Sequence, residues 1–388
     1  MMLRTPTMRR IRNNIKMKSF GVAAEFNPFH DGHSYLIQKA KEQTGCTCCI
    51  AAMSGDFTQR GEPAVFDKWE RAKSAVEHGA DLVVEIPQVF ACSSASYFAR
   101  GAVSVLAGLG VCDYLVFGSE CGSTEELLST SSFIKEHAEK IDQMASDLVR
   151  KGVSYPKARD QAMAVLAGEE GNTPAISGPN DVLAVEYLMQ DLCRMEPLAI
   201  KRIEKGHFET ATELRKELEQ NDREGFDNKK KLYFDLVSYR IAVTPAEELE
   251  KYAESENGLG MKLKKELRYA DDLEDLIGRV KSKAYTRTAI TRLLTHMLLG
   301  ITGKDLTDTA YARVLAMNDT GAEALRTAKK NDLLRIPVVS NLTRDMEKLN
   351  DFQKSMISFD ITAGDVYNII TGKDLYANSD YVRSPFKA

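Results

Sequence analysis

Two histidines three residues apart, His30 and His33, are the side chains in this sequence best suited to chemistry. They lie between a run of small and apolar residues, typical of a buried strand, and a helical pattern. Gly32 allows a bulky anion to approach the backbone, and the amino end of a helix offers N–H groups and partial positive charge. The imidazoles can donate hydrogen bonds to phosphate oxygens as charge develops. The motif therefore predicts a nucleotide-handling site.

An alternative interpretation is that these histidines are satisfied structural residues, as most histidines in half-apolar segments are. Two of the six histidines of the chain fall within four residues, directly after the turn signal Asn27-Pro28, which favours the nucleotide interpretation. A zinc site explains the pair less well, because no third or fourth ligand follows nearby at metal-binding spacing.

The composition limits the classes of function. The chain has 388 residues, of which 43% are hydrophobic and 28% charged, with a net charge of −4. Its apolar runs are too short to cross a bilayer, and seven unevenly spaced cysteines fit a reducing compartment better than a disulfide framework. We therefore predict a cytoplasmic protein with no membrane partner, and leave its oligomeric state open. Residues 1–16, basic and free of acids, are predicted to be a disordered extension.

The first half of the chain alternates strand and helix patterns. Apolar segments predict strands at residues 20–25, 46–53, 81–86, 114–118 and 197–203. Helical patterns lie at residues 34–42, 67–78, 94–109 and 125–150. This alternation predicts an α/β fold with a parallel sheet covered on both faces, which binds ligands at the carboxyl ends of its strands. Three Gly-bearing turns that follow strands should converge there: the His30/His33 turn, 54–57 and 117–120.

The second half has a different texture, in which charged helical patterns dominate. We predict a first domain of residues 17–225 and a mostly α-helical second domain of residues 226–388. Residues 276–304 contain six basic side chains and no acidic one, and residues 285–296 read as an amphipathic helix. This pattern suits the backbone of RNA, although a cluster that complements helix ends and nearby acids is the alternative. The side chains predicted to contact RNA are Lys281, Lys283, Arg287 and Arg292.

Several motifs in a fixed order resemble a known family. They are Glu25-Phe-Asn-Pro-Phe-His-Asp-Gly-His33, Ser54-Gly-Asp-Phe-Thr-Gln-Arg-Gly-Glu-Pro63, Asp81-Leu-Val-Val-Glu-Ile-Pro87, Phe117-Gly-Ser-Glu120, Pro179-Asn180, Ile200-Lys-Arg-Ile203, Lys283-Ala-Tyr-Thr-Arg287, Ile301-Thr-Gly303 and Ile336-Pro-Val-Val339. His-x-Gly-His alone would indicate only the nucleotidyltransferase superfamily. The ordered set, which extends over nearly the whole chain after Met17, resembles the bacterial tRNA(Met) cytidine acetate ligase family.

That resemblance implies a Rossmann-like nucleotidyltransferase domain followed by a helical tRNA-binding domain. It implies that ATP activates acetate to acetyl-adenylate with release of pyrophosphate, and that the acetyl group passes to N4 of the wobble cytidine in elongator tRNA(Met). ATP is then a substrate that arrives with Mg²⁺, the anticodon loop and acetate are the other partners, and no protein-bound metal or organic cofactor is expected. His30 and His33 are the implied catalytic residues.

The resemblance also implies the residues that contact ATP. They are Ala23, Ala24, Glu25, Phe26, Asn27, Pro28, Phe29, His30, Asp31, Gly32, His33, Ser34, Tyr35, Leu36, Gly118, Asn180 and Arg202. A second phosphate element of the superfamily has its nearest match at Thr210, Thr212 and Arg215, but residues 213 and 214 depart from the common pattern. A capped surface helix explains this segment equally well.

Two other classes of function remain open at this stage. One is a small-molecule nucleotidyltransferase that joins ATP to a phosphorylated acceptor, and the other is a non-catalytic RNA-binding protein with a nucleotide fold. The general base for acetyl transfer is not legible in the sequence. Asp56 is a candidate by position, with an ordinary turn cap as the alternative.

Overall fold

The computed structural model of the chain describes residues 17–169, 174–203, 210–255, 258–307 and 311–388. The predicted basic extension, residues 1–16, lies outside the described residues.

A single mixed sheet forms the centre of the described chain. Its strands are β1 (Ser19–Ala24), β2 (Cys48–Ser54), β3 (Leu82–Ile86), β4 (Tyr114–Ser119), β5 (Glu196–Lys201), β6 (Ala312–Met317), β7 (Val338–Val339) and β8 (Phe386–Lys387). The order across the sheet is β5-β4-β1-β2-β3-β6-β7, and β8 also pairs with β6. All neighbours are parallel except β3 and β6. The five strands predicted in the first half are thus confirmed, with ends shifted by at most two residues.

Both faces of the sheet are buried, because β2 and β3 are apolar at nearly every position. In β2, Ile50 and Ala52 belong to one hydrophobic core, whereas Cys49, Ala51 and Met53 belong to another on the opposite face. This near-continuous apolar run is the expected pattern of a parallel strand covered by helices on both sides. The sheet can therefore expose polar groups only at its edges and strand ends.

Helices fill the connections between the strands of the first half. They are α1 (Asp31–Thr44), α2 (Lys68–Glu77), α3 (Gln88–Ala91), α4 (Ala95–Leu109), α5 (Thr124–Glu136), α6 (Ala138–Arg150), α7 (Tyr155–Glu169) and α8 (Pro179–Met189). The prediction of a single helix at 125–150 is wrong, because the helix is interrupted at His137 and the segment forms two helices, α5 and α6. The imidazole of His137 stacks on Phe133 at 4.5 Å between ring centroids.

The second half is mostly helical, as predicted. Its helices are α9 (Ala211–Asn221), α10 (Arg223–Val243), α11 (Ala246–Leu249), α12 (Leu259–Glu266), α13 (Leu273–Val280), α14 (Arg287–Leu299), α15 (Asp319–Lys330), α16 (Leu342–Asp345) and α17 (Asp351–Ile370). It also contributes β6, which pairs antiparallel with β3 and was not predicted. β6 is a short, mostly apolar run of six residues among charged helical segments, and such a run gives no periodic signal for a strand. The fold class is confirmed, and the domain boundaries 17–225 and 226–388 stay predictions.

Buried charges join the end of the chain to the sheet. The carboxylate of Asp380 accepts hydrogen bonds from Lys68 Nζ and Arg313 Nη1, each at 2.7 Å, and from Trp69 Nε1 at 3.2 Å. Lys68 Nζ also lies 2.9 Å from Oε1 of Glu85, near the carboxyl end of β3. Because these groups are withdrawn from water, each charge depends on its partners, and the network fixes the last residues against α2.

Candidate active site

The chain leaves β1 at Ala24 through a turn that is anchored to the segment after β2. Oε1 of Glu25 accepts a hydrogen bond from the backbone N–H of Gln59 at 2.7 Å, and Oδ1 of Asn27 accepts one from Val65 at 2.8 Å. Phe26 is buried with φ of 46°, a left-handed conformation that is uncommon outside glycine and occurs where surrounding contacts over-determine the backbone. The predicted stretch 23–36 thus runs from the strand end, through this turn, into the first turns of α1.

The two histidines of the turn have one defined tautomer. Nδ1 of His30 accepts a hydrogen bond from the N–H of Gly32 at 3.0 Å, and Nδ1 of His33 accepts one from the N–H of His30 at 3.2 Å. Because each Nδ1 acts as an acceptor, this hydrogen bonding assigns the ring proton to Nε2. The rings lie 3.8 Å apart between centroids. Each imidazole therefore offers one Nε2–H donor beside the amino end of α1.

The surroundings favour the neutral form of both rings. Burial, followed by the charge of Arg202, lowers the pKa of His30 below its usual value. Burial, followed by the charges of His30 and Arg202, lowers the pKa of His33 well below its usual value. Near neutral pH the histidines are consequently uncharged donors, and the fixed positive charge of the site comes from arginine.

Gly32 is required for the position of the His30 ring. A Cβ at this residue would lie 2.8 Å from Cε1 and 3.0 Å from Nδ1 of the imidazole. Such contacts are closer than van der Waals packing permits, so any larger residue must displace the ring.

With the catalytic role that the resemblance implies for His30, we expect Gly32→Ala to lower acetate-dependent ATP–pyrophosphate exchange about 10- to 100-fold, because displacing a catalytic donor by about 1 Å costs up to about 100-fold. The overall fold should persist, since alanine has a higher helix propensity than glycine. Gly168→Ala in α7 is the control, because a Cβ there has nothing within 4 Å. Equal exchange rates in the two variants would contradict the assigned position of His30.

A second part of the site lies where β4 ends. The carboxylate of Glu120 accepts hydrogen bonds from Nδ2 of Asn180 and, at 3.0 Å, from the N–H of Asp181, and it lies 3.9 Å from Nε of Arg202. A Cβ on Gly118 would be 3.4 Å from Cγ of Arg202. Glu120 therefore contacts two of the residues predicted to bind ATP, Asn180 and Arg202, although it was not itself predicted as a site residue. Its position in the Phe117-Gly-Ser-Glu120 turn was the available signal.

The segment around Arg215 is both a capped helix and part of the site. Thr210 caps α9 by accepting from the N–H of Glu213 at 3.2 Å, as the structural alternative predicts. Arg215 nevertheless donates from Nη1 to the carbonyl of Asn27 at 2.7 Å and from Nη2 to Oγ1 of Thr212 at 3.1 Å. The structure thus brings Arg215 against the turn of residues 25–30, which we call the nucleotide turn after its predicted role, and it gives Thr210 a capping role.

A buried arginine that the sequence reasoning missed supports this turn from below. Arg71 on α2 is 1% exposed and donates to the carbonyls of Glu25, Ser54 and Gly55. It therefore links the carboxyl ends of β1 and β2. The available signal in the sequence was weak: Arg71 is a charged residue next to Trp69 and Ala72, which lie on the buried face of the helix.

Asp56 is not placed to exchange protons with a substrate. Its side chain is buried, and Oδ1 accepts a hydrogen bond from the N–H of Lys68 at 2.8 Å. Burial raises its pKa to about 6, against the opposing charge of Lys68. The contacts of Asp56 match the alternative expectation, a structural cap, because its side chain accepts a hydrogen bond from the first residue of α2.

The four predicted RNA-binding residues fall into two groups. Lys281 and Lys283 are exposed between α13 and α14. Arg287, which is half-buried, makes two hydrogen bonds to Glu274, at 2.6 and 2.7 Å. Arg292 points inward, where its Nε lies 2.6 Å from Glu254 and its side chain is 14% exposed. Lys281 and Lys283 therefore present charge at the surface, whereas Arg287 and Arg292 are both paired with carboxylates of the protein.

Two further findings concern ions and membranes. In the described ranges, no group of three or more His, Cys, Asp or Glu residues is arranged to hold a metal ion. Likewise, no helix in the described part of the chain combines the length and apolarity needed to span a membrane.

Comparison with known proteins identifies the family. The HIGH Nucleotidyl Transferase family profile matches residues 17–380. The tRNA(Met) cytidine acetate ligase of Anoxybacillus flavithermus is 35% identical over 366 residues, which cover 84% of this chain and 89% of that protein. This chain belongs to the tRNA(Met) cytidine acetate ligase family. The ligases of Bacillus licheniformis and Bacillus subtilis are 34% and 33% identical and cover 91% of this chain.

A solved structure of this ligase family matches the whole fold. Thermotoga maritima TmcAL bound with alpha-thio ATP is 27% identical, with a TM-score of 0.86 over 96% of this chain and 100% of that chain. The Rossmann-like nucleotidyltransferase architecture is therefore shared with a ligase that was crystallised with an ATP analogue. An apo form of the same protein matches equally well, with a TM-score of 0.86.

Proposed function

We propose that this protein activates acetate with ATP and transfers the acetyl group to N4 of the wobble cytidine in elongator tRNA(Met), forming N4-acetylcytidine. The observation that carries the proposal is the convergence of two uncharged histidine donors with Arg202 and Arg215 at the carboxyl edge of the sheet. Such a cluster suits a polyphosphate, and the named activity of the relatives supplies the reaction class.

In the first step, a carboxylate oxygen of acetate attacks the α-phosphorus of ATP. The new bond joins acetate to phosphorus, the bond to the bridging oxygen breaks, and pyrophosphate leaves with its electron pair. No protein nucleophile is needed, so the protein acts by positioning two anions and neutralising charge. We assign Nε2–H of His30 and His33 to the phosphate oxygens, with Arg202 and Arg215 beside them. Mg²⁺ enters as part of the ATP substrate, bound to its phosphates.

In the second step, the N4 amine of cytidine attacks the acetyl carbonyl carbon. The bond from that carbon to the adenylate oxygen breaks, AMP leaves, and N4 loses one proton. Anticodon-loop bases can be splayed from their stack, so N4 can reach the adenylate. The assignment of ATP contacts to residues 23–36, Gly118, Asn180 and Arg202 belongs to this proposal. Its support is their common location around the nucleotide turn and Glu120.

ATP–pyrophosphate exchange tests the first step. We expect exchange that requires acetate and proceeds without tRNA. Exchange supported by a phosphorylated acceptor in the absence of acetate would instead favour a small-molecule nucleotidyltransferase. Complete absence of exchange, with tRNA binding retained, would favour a non-catalytic RNA-binding protein.

We expect Lys281→Ala combined with Lys283→Ala to weaken tRNA binding and to flatten its salt dependence. The slope of log Kd against log salt should fall by about 1.4 to 2, because each lost phosphate contact removes about 0.7 to 1. Lys329→Ala combined with Lys330→Ala removes the same charge from the exposed end of α15 and should leave the slope unchanged. Equal slopes in both double variants would remove these lysines from the RNA surface.

We place the protein in the cytoplasm. All seven cysteines are free thiols, and five of them are buried. Free thiols in this number are typical of a reducing compartment, which supports this placement.

A further inference from the structure

We propose that Arg60 binds the sugar–phosphate backbone of the acceptor RNA beside the reacting nucleotide, at the junction of the nucleotide turn and helix α14. This inference rests on the proposed function and adds a binding residue to it. It follows from how the loop after β2 is held, from what surrounds it, and from the state of the Arg60 side chain.

The loop that carries Arg60 is a closed, fixed turn. The N–H of Thr58 donates to the carbonyl of Glu62 at 3.0 Å, and the N–H of Gly61 donates to the carbonyl of Thr58 at 2.9 Å. Phe57 and Pro63 form a bridge at its base. These contacts close the loop on itself, so the position of its tip is determined by the backbone.

One side of this loop contacts the nucleotide turn. The backbone N–H of Gln59, the residue before Arg60, donates to Oε1 of Glu25 at 2.7 Å, and the Gln59 side chain donates to the carbonyl of Ser93 at 3.1 Å. Glu25 belongs to the stretch that leads directly into His30. These hydrogen bonds therefore fix the position of the loop relative to the histidine turn.

The other side of the loop packs on the basic helix α14. Oγ1 of Thr291 donates to the carbonyl of Arg60, and Oγ1 of Thr295 donates to the carbonyl of Gly61 at 3.0 Å. Gly61 has φ of 74°, and a Cβ there would lie 2.2 Å from the backbone nitrogen of Arg292. Only glycine permits this approach, so the loop connects α14 to the nucleotide turn without a gap.

The Arg60 side chain differs from the other arginines of this region. It is exposed and makes no hydrogen bond or ion pair with any residue in the described ranges. In contrast, Arg215 is bound to Asn27, Arg287 to Glu274 and Arg292 to Glu254. A fixed loop thus presents to solvent a guanidinium group that has no hydrogen-bonded partner among the described residues.

The surroundings of Arg60 favour an anionic ligand. Burial and, next, the charge of Arg60 lower the pKa of Arg215 against the opposing charges of Glu25 and Glu62, so the two guanidinium groups are close enough to repel each other. An arginine in this position gains from a phosphate group, which accepts two parallel hydrogen bonds from its planar fork. Each phosphate bound there relieves the repulsion.

RNA fits this position better than ATP does. Arg215 and Arg202, which are assigned to ATP, are held by Asn27 and Glu120, whereas Arg60 is carried by the loop that packs on α14. An RNA strand that runs from Lys281 and Lys283, which precede α14, to the histidine turn passes the loop that carries Arg60. Arg60 is placed to contact a phosphate flanking the nucleotide that enters the site.

The test compares Arg60→Ala and Arg60→Lys with Arg326→Ala. Arg326 is an exposed arginine on α15, paired with Glu323 at 2.8 Å, and α15 begins against Asp81, at the opposite end of β3 from the site. Each variant is measured for binding of elongator tRNA(Met) at several salt concentrations, and separately for acetate-dependent ATP–pyrophosphate exchange without tRNA.

We expect Arg60→Ala to weaken tRNA binding about tenfold at low salt and to lower the slope of log Kd against log salt by about 0.7 to 1. Exchange should stay within twofold of wild type, Arg60→Lys should retain the slope, and Arg326→Ala should change neither quantity. An unchanged slope in Arg60→Ala would overturn the proposal. A loss of tRNA-independent exchange would also overturn it, because Arg60 would then belong to the ATP site.

These measurements separate this inference from the proposed function. Binding and its salt dependence need no catalysis, so they report on Arg60 even if wild-type protein fails to acetylate the tRNA. Failure of wild-type exchange refutes the proposed function, whereas an unchanged slope refutes only the role of Arg60.

Discussion

His30→Asn is expected to lower acetate-dependent ATP–pyrophosphate exchange by about 10²- to 10³-fold while the protein remains folded. Asparagine is a favourable N-cap, so its Oδ1 can still accept the hydrogen bond from Gly32 that Nδ1 of His30 accepts now. What it cannot replace is the Nε2–H donor that we propose for the phosphates. Losing one such donor from a preorganised site costs about 3 kcal/mol of transition-state stabilisation.

The control for this variant is the same kind of substitution, an asparagine at the N-cap, in another helix. Thr286 caps α14 by accepting from the N–H of Ala289 at 3.2 Å, and Thr286→Asn should leave exchange without tRNA unchanged. Urea unfolding of His30→Asn should give a free energy within about 1 kcal/mol of wild type, because the cap is retained. Exchange within threefold of wild type in His30→Asn would show that the ring has a structural role only.

Asp380→Asn is expected to reduce the free energy of unfolding by about 3 kcal/mol, because it leaves two buried cations with less compensation. Burial opposes ionisation of this carboxyl, but the charges of Arg313 and Lys68 hold the pKa of Asp380 below its usual value. The carboxylate is therefore charged in the folded protein. Its loss leaves Glu85, whose pKa burial raises to about 7, as the nearest carboxyl group to both cations, at 2.9 Å from Lys68 and 3.5 Å from Arg313.

The matched control is Asp374→Asn in the same carboxyl-terminal segment. Asp374 is exposed, and its carboxylate accepts a hydrogen bond from the N–H of Ala377 at 2.7 Å. This change should cost less than about 1 kcal/mol, as surface substitutions usually do. Urea denaturation monitored by the fluorescence of Trp69, which donates to Asp380, follows both variants. A difference of less than 1 kcal/mol between them would contradict the importance of the network.

The sequence was a good guide to features set by local patterns. Buried strands at the start of the chain appear as continuous apolar runs, and the turn with His30 and His33 carries its own signals in Asn27, Pro28 and Gly32. Parallel strands end at the same edge of a sheet, which allowed the His30/His33 turn and the turns at 54–57 and 117–120 to be predicted at one edge.

Features that depend on long-range contacts were not predictable. Arg71 is a buried connector only because β1 and β2 end side by side above α2. The role of Glu120 depends on Asn180, sixty residues further along the chain. Similarly, Arg292 looks like an exposed basic residue in the sequence, yet in the fold Glu254 neutralises it. Pairings of this kind are properties of the tertiary structure, for which a single sequence carries no periodic signal.

The most direct test of the account is transfer of labelled acetate to RNA. The purified protein is incubated with ATP, Mg²⁺, ¹⁴C-acetate and an elongator tRNA(Met) transcript, and the RNA is digested to nucleosides and separated. The account predicts label in N4-acetylcytidine at the wobble position, only when ATP is present, and its loss when a uridine replaces that cytidine. Label that is absent from RNA, or that persists in the uridine transcript, would contradict the account.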